Sequence, residues 1–118
     1  MIPKFRAWDK ISKTMFPVMM IDFGQSYVMI EEINGLWCER GFDEVELMQS
    51  TGLFDENGKE IFNGDIVLIY GEKISKVFYS QGSFCVDILN GGTPLHGFSP
   101  KQLEVIGNIY DNKDLLGE

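Results

Sequence analysis

The chain has 118 residues, 44% of them hydrophobic, and 18 acids against 10 bases for a net charge of −8. That length bounds it to about one domain with a modest core, and that charge argues against general affinity for a phosphate backbone, which Lys and Arg must neutralise. With 13 glycines and nine phenylalanines, tight turns and half-buried pleated surfaces are favoured over long helices, so a mainly β protein is expected.

Two cysteines, Cys38 and Cys85, stand far apart without a CxxC spacing, so neither a disulfide framework nor a zinc site is expected and both read as buried thiols. The start, MIPKFRAWDK, lacks the apolar stretch of a signal peptide, and the nearly apolar run at residues 15–21 is too short to span a bilayer. The expectation is a soluble protein of a bacterial host's cytoplasm, with no membrane partner.

Taken in order, residues 2–8 read as a short aromatic strand and residues 9–14 as a polar loop, with a second strand from Met15 completing a hairpin. Pro17 removes a ladder donor and pushes that second strand toward a sheet edge or a bulge. Residues 26–32 (SYVMIEE) read as a third strand, and Asn34-Gly35 as a hairpin turn into Leu36-Trp37-Cys38. Residues 41–49 carry Phe42, Val45 and Met48 among acids, a spacing compatible with a helical turn or an irregular connection.

The stretch at residues 48–70, MQSTGLFDENGKEIFNGDIVLIY, organises the rest. Asn57-Gly58 predicts a two-residue hairpin loop with positive φ at both positions. Asn63-Gly64 then turns the chain into Asp65 and five successive apolar residues, a strand buried on both faces. Gly71-Glu72-Lys73 and Gln81-Gly82 are the next reversals, so residues 65–88 read as a three-stranded meander with Phe84, Val86 and Ile88 on one face. A loop at residues 90–94 follows. Ser99-Pro100 with Gln102 has the form of a capping box around one helical turn, residues 103–110 form the last strand, and residues 112–116 a closing helical turn. Five short strands with a helical turn before the last predict a small SH3-like barrel at residues 51–118, preceded by a β-rich segment at residues 1–50, the two expected to form one compact unit.

No chemistry-bearing constellation emerges. Placing Gly58 at the sixth position of a calcium loop puts Leu53 first and Gly64 twelfth, where oxygen ligands belong, so no metal site is expected. His96 has no recognisable nucleophile or acid at a matching spacing, and Glu60 with Asp65 flank a turn, where Asp65 serves turn amides. No cofactor is expected. Charge is uneven: residues 21–60 hold ten acids and two bases, whereas residues 1–20 hold four bases and one acid. This asymmetry suits docking of Lys4, Arg6, Lys10 and Lys13 on the acids of a second copy, or of the acidic face on a basic host protein. The aromatics Phe5, Trp8, Phe16, Tyr27 and Trp37 also suggest a stacking platform for single-stranded nucleic acid, which the overall charge opposes.

The segments KFRAWDK, LMQSTGLFDENGKEIFNGDIV and EVIGNIYDN together resemble the YopX family of bacteriophage and prophage proteins over most of the chain. The resemblance implies a β-rich N-terminal portion, a C-terminal SH3-like barrel and a phage or prophage origin, with no biochemical function attached. Phe54 and Asn63 stand where that family more often has polar or charged residues. The functional expectation is a non-enzymatic interaction module that forms a homo-oligomer and meets a host or phage protein, with Phe5, Arg6, Trp8, Trp37, Glu44 and Glu46 as candidate interaction surface.

Overall fold

The computed structural model describes residues 4–88 and 91–117; there the chain is mainly β, and its helical pieces are single 3-10 turns of three or four residues. Ile2 and Asn90, at the starts of an expected strand and loop, lie outside the described residues. The chain divides into two compact units, Met1–Gln49 and Ser50–Glu118. Among the described residues no helix is long and apolar enough to cross a membrane.

In the first unit β1 (Phe5–Asp9), β2 (Thr14–Asp22), β3 (Tyr27–Glu31) and β4 (Trp37–Gly41) form an antiparallel succession. The first half of β5 (Val45–Phe54) lies along the other side of β1. Directly opposed residues share a face, so one face collects Ala7, Phe16 and Leu47 from one row and Val18, Ile30 and Cys38 from another. Ala7, Phe16, Val28, Ile30 and Val45 are the buried centre of this core. Cys38 is only half-buried, unlike Cys85.

β2 is not an edge strand. It runs between β1 and β3, and its register slips between Val18 and Met20. Pro17 ends the ladder to β1 at Arg6 and the ladder to β3 begins at Val18, so the residue without an N–H sits where the strand changes partners. The bulge also changes side-chain parity: Val18 and Ile21, three apart, both pack on the core, while Met20 lies opposite Met29. Residues 41–49, ambiguous by spacing, resolve into a 3-10 turn at Phe42–Glu44 and the start of β5, where buried Val45 and Met48 flank exposed Glu46.

In the second unit the latter part of β5 pairs with β6 (Glu60–Phe62). β7 (Asp65–Ile69) is the buried centre of a three-stranded sheet, between β8 (Lys73–Lys76) and β12 (Leu103–Asn108). β9 (Phe78–Ser80), β10 (Ser83–Asp87) and β11 (Gly92–Pro94) form a second one. Ile61, Val67, Ile69, Val77, Val86, Leu95 and Leu103 make the common core, with Phe84 and Ile88 packed against it.

A closed barrel is not formed: among the described residues the sheets remain open. The expected meander breaks at Val77, whose N–H donates to Asp65 O (2.8 Å) and whose carbonyl accepts from Gly64 (2.9 Å). The chain thus leaves the β7 ladder after Lys76 and joins β10 from Phe78. The helical turn at Pro100–Gln102 forms as expected, Gln102 Oε1 accepting the Ser99 N–H at 2.8 Å.

The Asn-Gly reversals occur, with a different backbone. At Asn57-Gly58 only the glycine has positive φ (77°), and the loop closes through Gly58 N–H to Asp55 O and Asp55 N–H to Lys59 O. This is the longer loop in which a turn is followed by one left-handed residue. Asn34-Gly35 repeats it, with Gly35 at 83°. Both central residues have positive φ instead at Tyr70-Gly71 (55° and 71°) and Gln81-Gly82 (51° and 84°), the tight turns of the β7–β8 and β9–β10 hairpins.

Candidate functional site

The face of the N-terminal sheet opposite its core carries Trp8, Met15 and Glu46 in one row, Met20, Met29 and Glu39 in another, and Glu31 opposite Trp37. Alternation adds Tyr27, which opposes Asp22. Trp37 is 52% and Met20 40% exposed, while Trp8, Met15, Met29 and Tyr27 are half-buried. Thioether and indole side chains thus form an apolar stripe with carboxylates among and around them. Methionine adapts its shape to varied partners, and an exposed apolar surface rimmed by polar groups marks an interaction site.

Of the six candidate surface residues, register brings Arg6, Trp8, Trp37 and Glu46 to this face. Phe5 alternates onto the side of Ala7, and Glu44 lies outside the strands, its Oε1 accepting the Gly41 N–H at 2.8 Å. Glu46 pairs with Lys10 across 3.3 Å, a contact within one protein molecule. Sequence reasoning missed Met15, Met20, Met29 and Glu39. Tyr27, Met29 and Glu31 alternate in SYVMIEE and were legible as one face; Met20 was not, because the bulge reverses its parity.

Behind this face lies a buried ion pair. Asp9 is fully buried; Arg40 Nε donates to its Oδ1 at 3.0 Å, Ser12 Oγ donates to Oδ2 at 2.7 Å, and the Ile11 N–H donates to Oδ1 at 3.2 Å. Burial pushes the Asp9 carboxyl up, but these hydrogen bonds and the Arg40 charge outweigh it and hold the group below its ordinary value. The Asp9 hydrogen bond, opposed by burial, raises Arg40 in turn. Arg40 Nη1 also donates to Cys38 Sγ at 2.6 Å. One arginine therefore fastens β4, which carries Trp37, to the β1–β2 turn.

Elsewhere the chemistry is sparse. Asp55 is 3% exposed; its Oδ1 accepts the N–H groups of Asn57 (2.9 Å) and Lys59 (2.8 Å) and its Oδ2 that of Val105 (2.9 Å). A carboxylate so occupied is scaffold. Asp65 Oδ2 accepts the Phe62 N–H at 2.8 Å, serving a turn amide. His96 is exposed in the 3-10 turn at Leu95–Gly97. No group of three or more His, Cys, Asp or Glu residues able to hold a metal occurs among the described residues. An open groove of about 600 Å³ runs along Lys4, Phe5, Val18, Met19, Met20, Ile21 and Phe23, beside the part of β2 that pairs with β3.

Comparison with known proteins gives a family and a fold. A family model described as YopX protein matches residues 4–117. Among solved structures, the crystal structure of protein EF1440 from Enterococcus faecalis is similar, with 31% sequence identity and a TM-score of 0.69, over 98% of this chain and 99% of that one. No curated protein matches.

Proposed function

The chain belongs to the YopX family, and on that premise we propose that it is a non-enzymatic phage or prophage accessory protein that holds another protein against the outer face of its N-terminal sheet. The observation that carries this reading is the apolar stripe of Trp8, Met15, Met20, Met29 and Trp37, set on strands rather than loops and braced from behind by the Asp9–Arg40 pair. Rigid strands present such a surface at little entropic cost on binding. The second unit serves as scaffold, and we read it as SH3-like: its strand order, the kink at Val77 and the helical turn before β12 support that reading.

Photo-crosslinking tests the role of the face. A benzoylphenylalanine at position 20 or 37 should give protein adducts in a bacterial cell expressing the chain, and one at Tyr79, exposed in the second unit, should not. Equal adducts at all three positions, or none at 20 and 37, would refute it.

Self-association is a second reading, favoured by the groove along Met19 and Phe23. A strand of a second copy could lie along that groove by edge-to-edge pairing. Light scattering should show a dimer that Met19→Asp dissociates. A stable monomer at working concentration would remove this reading and leave the first intact.

A further inference from the structure

The outer face of the N-terminal sheet carries a sign as well as a shape. Register places Asp22, Glu31, Glu39 and Glu46 on it, against Arg6 on the same strand face as Trp8. Glu46 is answered by Lys10. Asp22 Oδ1 accepts the Gln25 N–H, and neither it, Glu31 nor Glu39 forms an ion pair among the described residues. Glu31 and Glu39 both lie beside Trp37, one directly across the ladder and one two residues along the strand. The apolar stripe is therefore flanked by carboxylates that the described protein does not neutralise.

We propose that the occupant of this face is a cationic amphipathic protein segment, its apolar side chains on Trp37, Met29 and Met20 and its Lys or Arg side chains against Glu31, Glu39 and Asp22. This rests on the reading of the face as a protein-docking surface and adds the chemistry of the partner. Two features select that chemistry. A carboxylate rim around exposed apolar surface disfavours acidic partners and phosphate backbones by like-charge repulsion, and it steers cations inward. The same rim disfavours face-to-face pairing of two copies, because each would bring its own Glu31 and Glu39. Arginine and lysine stems can also lie along thioether and indole surfaces while their charged heads reach the rim.

The probes are three synthetic peptides of equal length, a Leu/Lys amphipath, a Leu/Glu amphipath and an apolar-free Ser/Lys peptide, together with a single-stranded oligonucleotide. Binding is read by Trp8 and Trp37 fluorescence in the full chain. The Leu/Lys peptide should bind and should weaken as salt rises from about 0.05 to 0.5 M, the screening expected for exposed charges; the others should bind at least about tenfold more weakly. Glu31→Lys with Glu39→Lys should weaken the Leu/Lys peptide by at least about fivefold, as loss of two exposed ion pairs allows. Glu72→Lys, an exposed turn position in the second unit, should leave affinity unchanged. Circular dichroism of each variant confirms that the sheet persists, and Glu31→Gln with Glu39→Gln keeps the test usable if charge reversal unfolds it.

Equal binding of the Leu/Glu peptide, preference for the oligonucleotide, or indifference to both Glu31 and Glu39 double variants would overturn the proposal. If both amphipaths bind and Met20→Ser weakens both, the face is a docking surface without the inferred charge preference, so this inference fails and the functional reading stands. If no probe binds, and crosslinks at positions 20 and 37 are also missing, both fail together.

Discussion

Replacing Asp55 by alanine removes the carboxylate that ties the β5–β6 hairpin loop to β12. Three main-chain N–H groups lose their acceptor, those of Asn57, Lys59 and Val105. Hydrogen bonds to a charged acceptor contribute roughly 1.5–3 kcal/mol each, and a buried amide left unpaired costs about 1–3 kcal/mol. Asn57 and Lys59 are exposed and water can reach their amides, whereas Val105 lies in a half-buried stretch of β12. Only the Val105 amide therefore bears the full penalty, which places the loss at about 3–4 kcal/mol rather than the sum of three bonds. For a domain of this size, 1 kcal/mol shifts Tm by about 4–8 °C, so Asp55→Ala should melt roughly 12–32 °C lower. Thermal circular dichroism checks the size, and hydrogen exchange checks the cause: the Val105 amide should lose more protection than its neighbours in β12. A Tm drop below about 5 °C, or unchanged relative protection at Val105, would refute the view that this acid bridges loop and sheet.

Two further outcomes follow from the same geometry. Because Asp9 is held below its ordinary pKa, its stabilising contribution is fully present above the unfolded value of about 3.9 and is lost as pH falls through the lower folded value. Arg40→Met should cost about 3–5 kcal/mol near neutrality, as a broken buried ion pair does, and Asp9→Asn should flatten the acid limb of the stability profile below about pH 4; an Asp9→Asn profile parallel to the native one over that limb would count against this. At the Asn57-Gly58 loop, Gly58→Ala should cost about 1–2 kcal/mol from φ alone, since a Cβ there would meet nothing within 4 Å. Asn57→Ala should stay within about 0.5 kcal/mol. Equal losses at the two positions, measured by urea denaturation, would restore the two-residue turn that the sequence suggested.

The strands of the second unit were largely legible because their signals are local. Asp65 and the apolar run after it give a strand whose burial follows from composition, and a Gly follows each reversal from Asn57 to Gln81. What was not legible depended on distant partners. The break at Val77 exists because Gly64 and Asp65 capture its main-chain groups, and nothing in KISKVFYS marks it. The strand at Val45–Phe54 was hidden because Phe42, Val45 and Met48, three apart among acids, suit a helical turn as well as an irregular connection, whereas the chain there forms one 3-10 turn and a strand. The outer face was visible in fragments, Trp37 from its aromaticity and Glu46 from the acidic run. Its continuity through Met20 required the bulge, which shifts parity without a local residue preference to announce it.

The acidic middle of the chain separates into two populations once each carboxylate is placed. Asp55 is buried and satisfied, Glu44 caps the turn at Gly41, and Glu60 accepts from Ser50 Oγ. These acids explain local geometry, and their negative charge is incidental to what the surface offers. Glu31 and Glu39 do no such work: neither caps a turn, and neither is paired among the described residues, yet both flank the exposed Trp37. An acid that builds structure tolerates Asn or Gln poorly because its hydrogen bonds are specific, whereas an acid that only sets a field tolerates them well in folding and fails in binding. That contrast is measurable. Glu31→Gln and Glu39→Gln should leave melting within about 0.5 kcal/mol of the native chain, the range of ordinary surface substitutions, while Asp9→Asn and Asp55→Asn should not. If all four behaved alike, the division between scaffold acids and surface acids would collapse, and the inference that the face selects cationic partners would collapse with it.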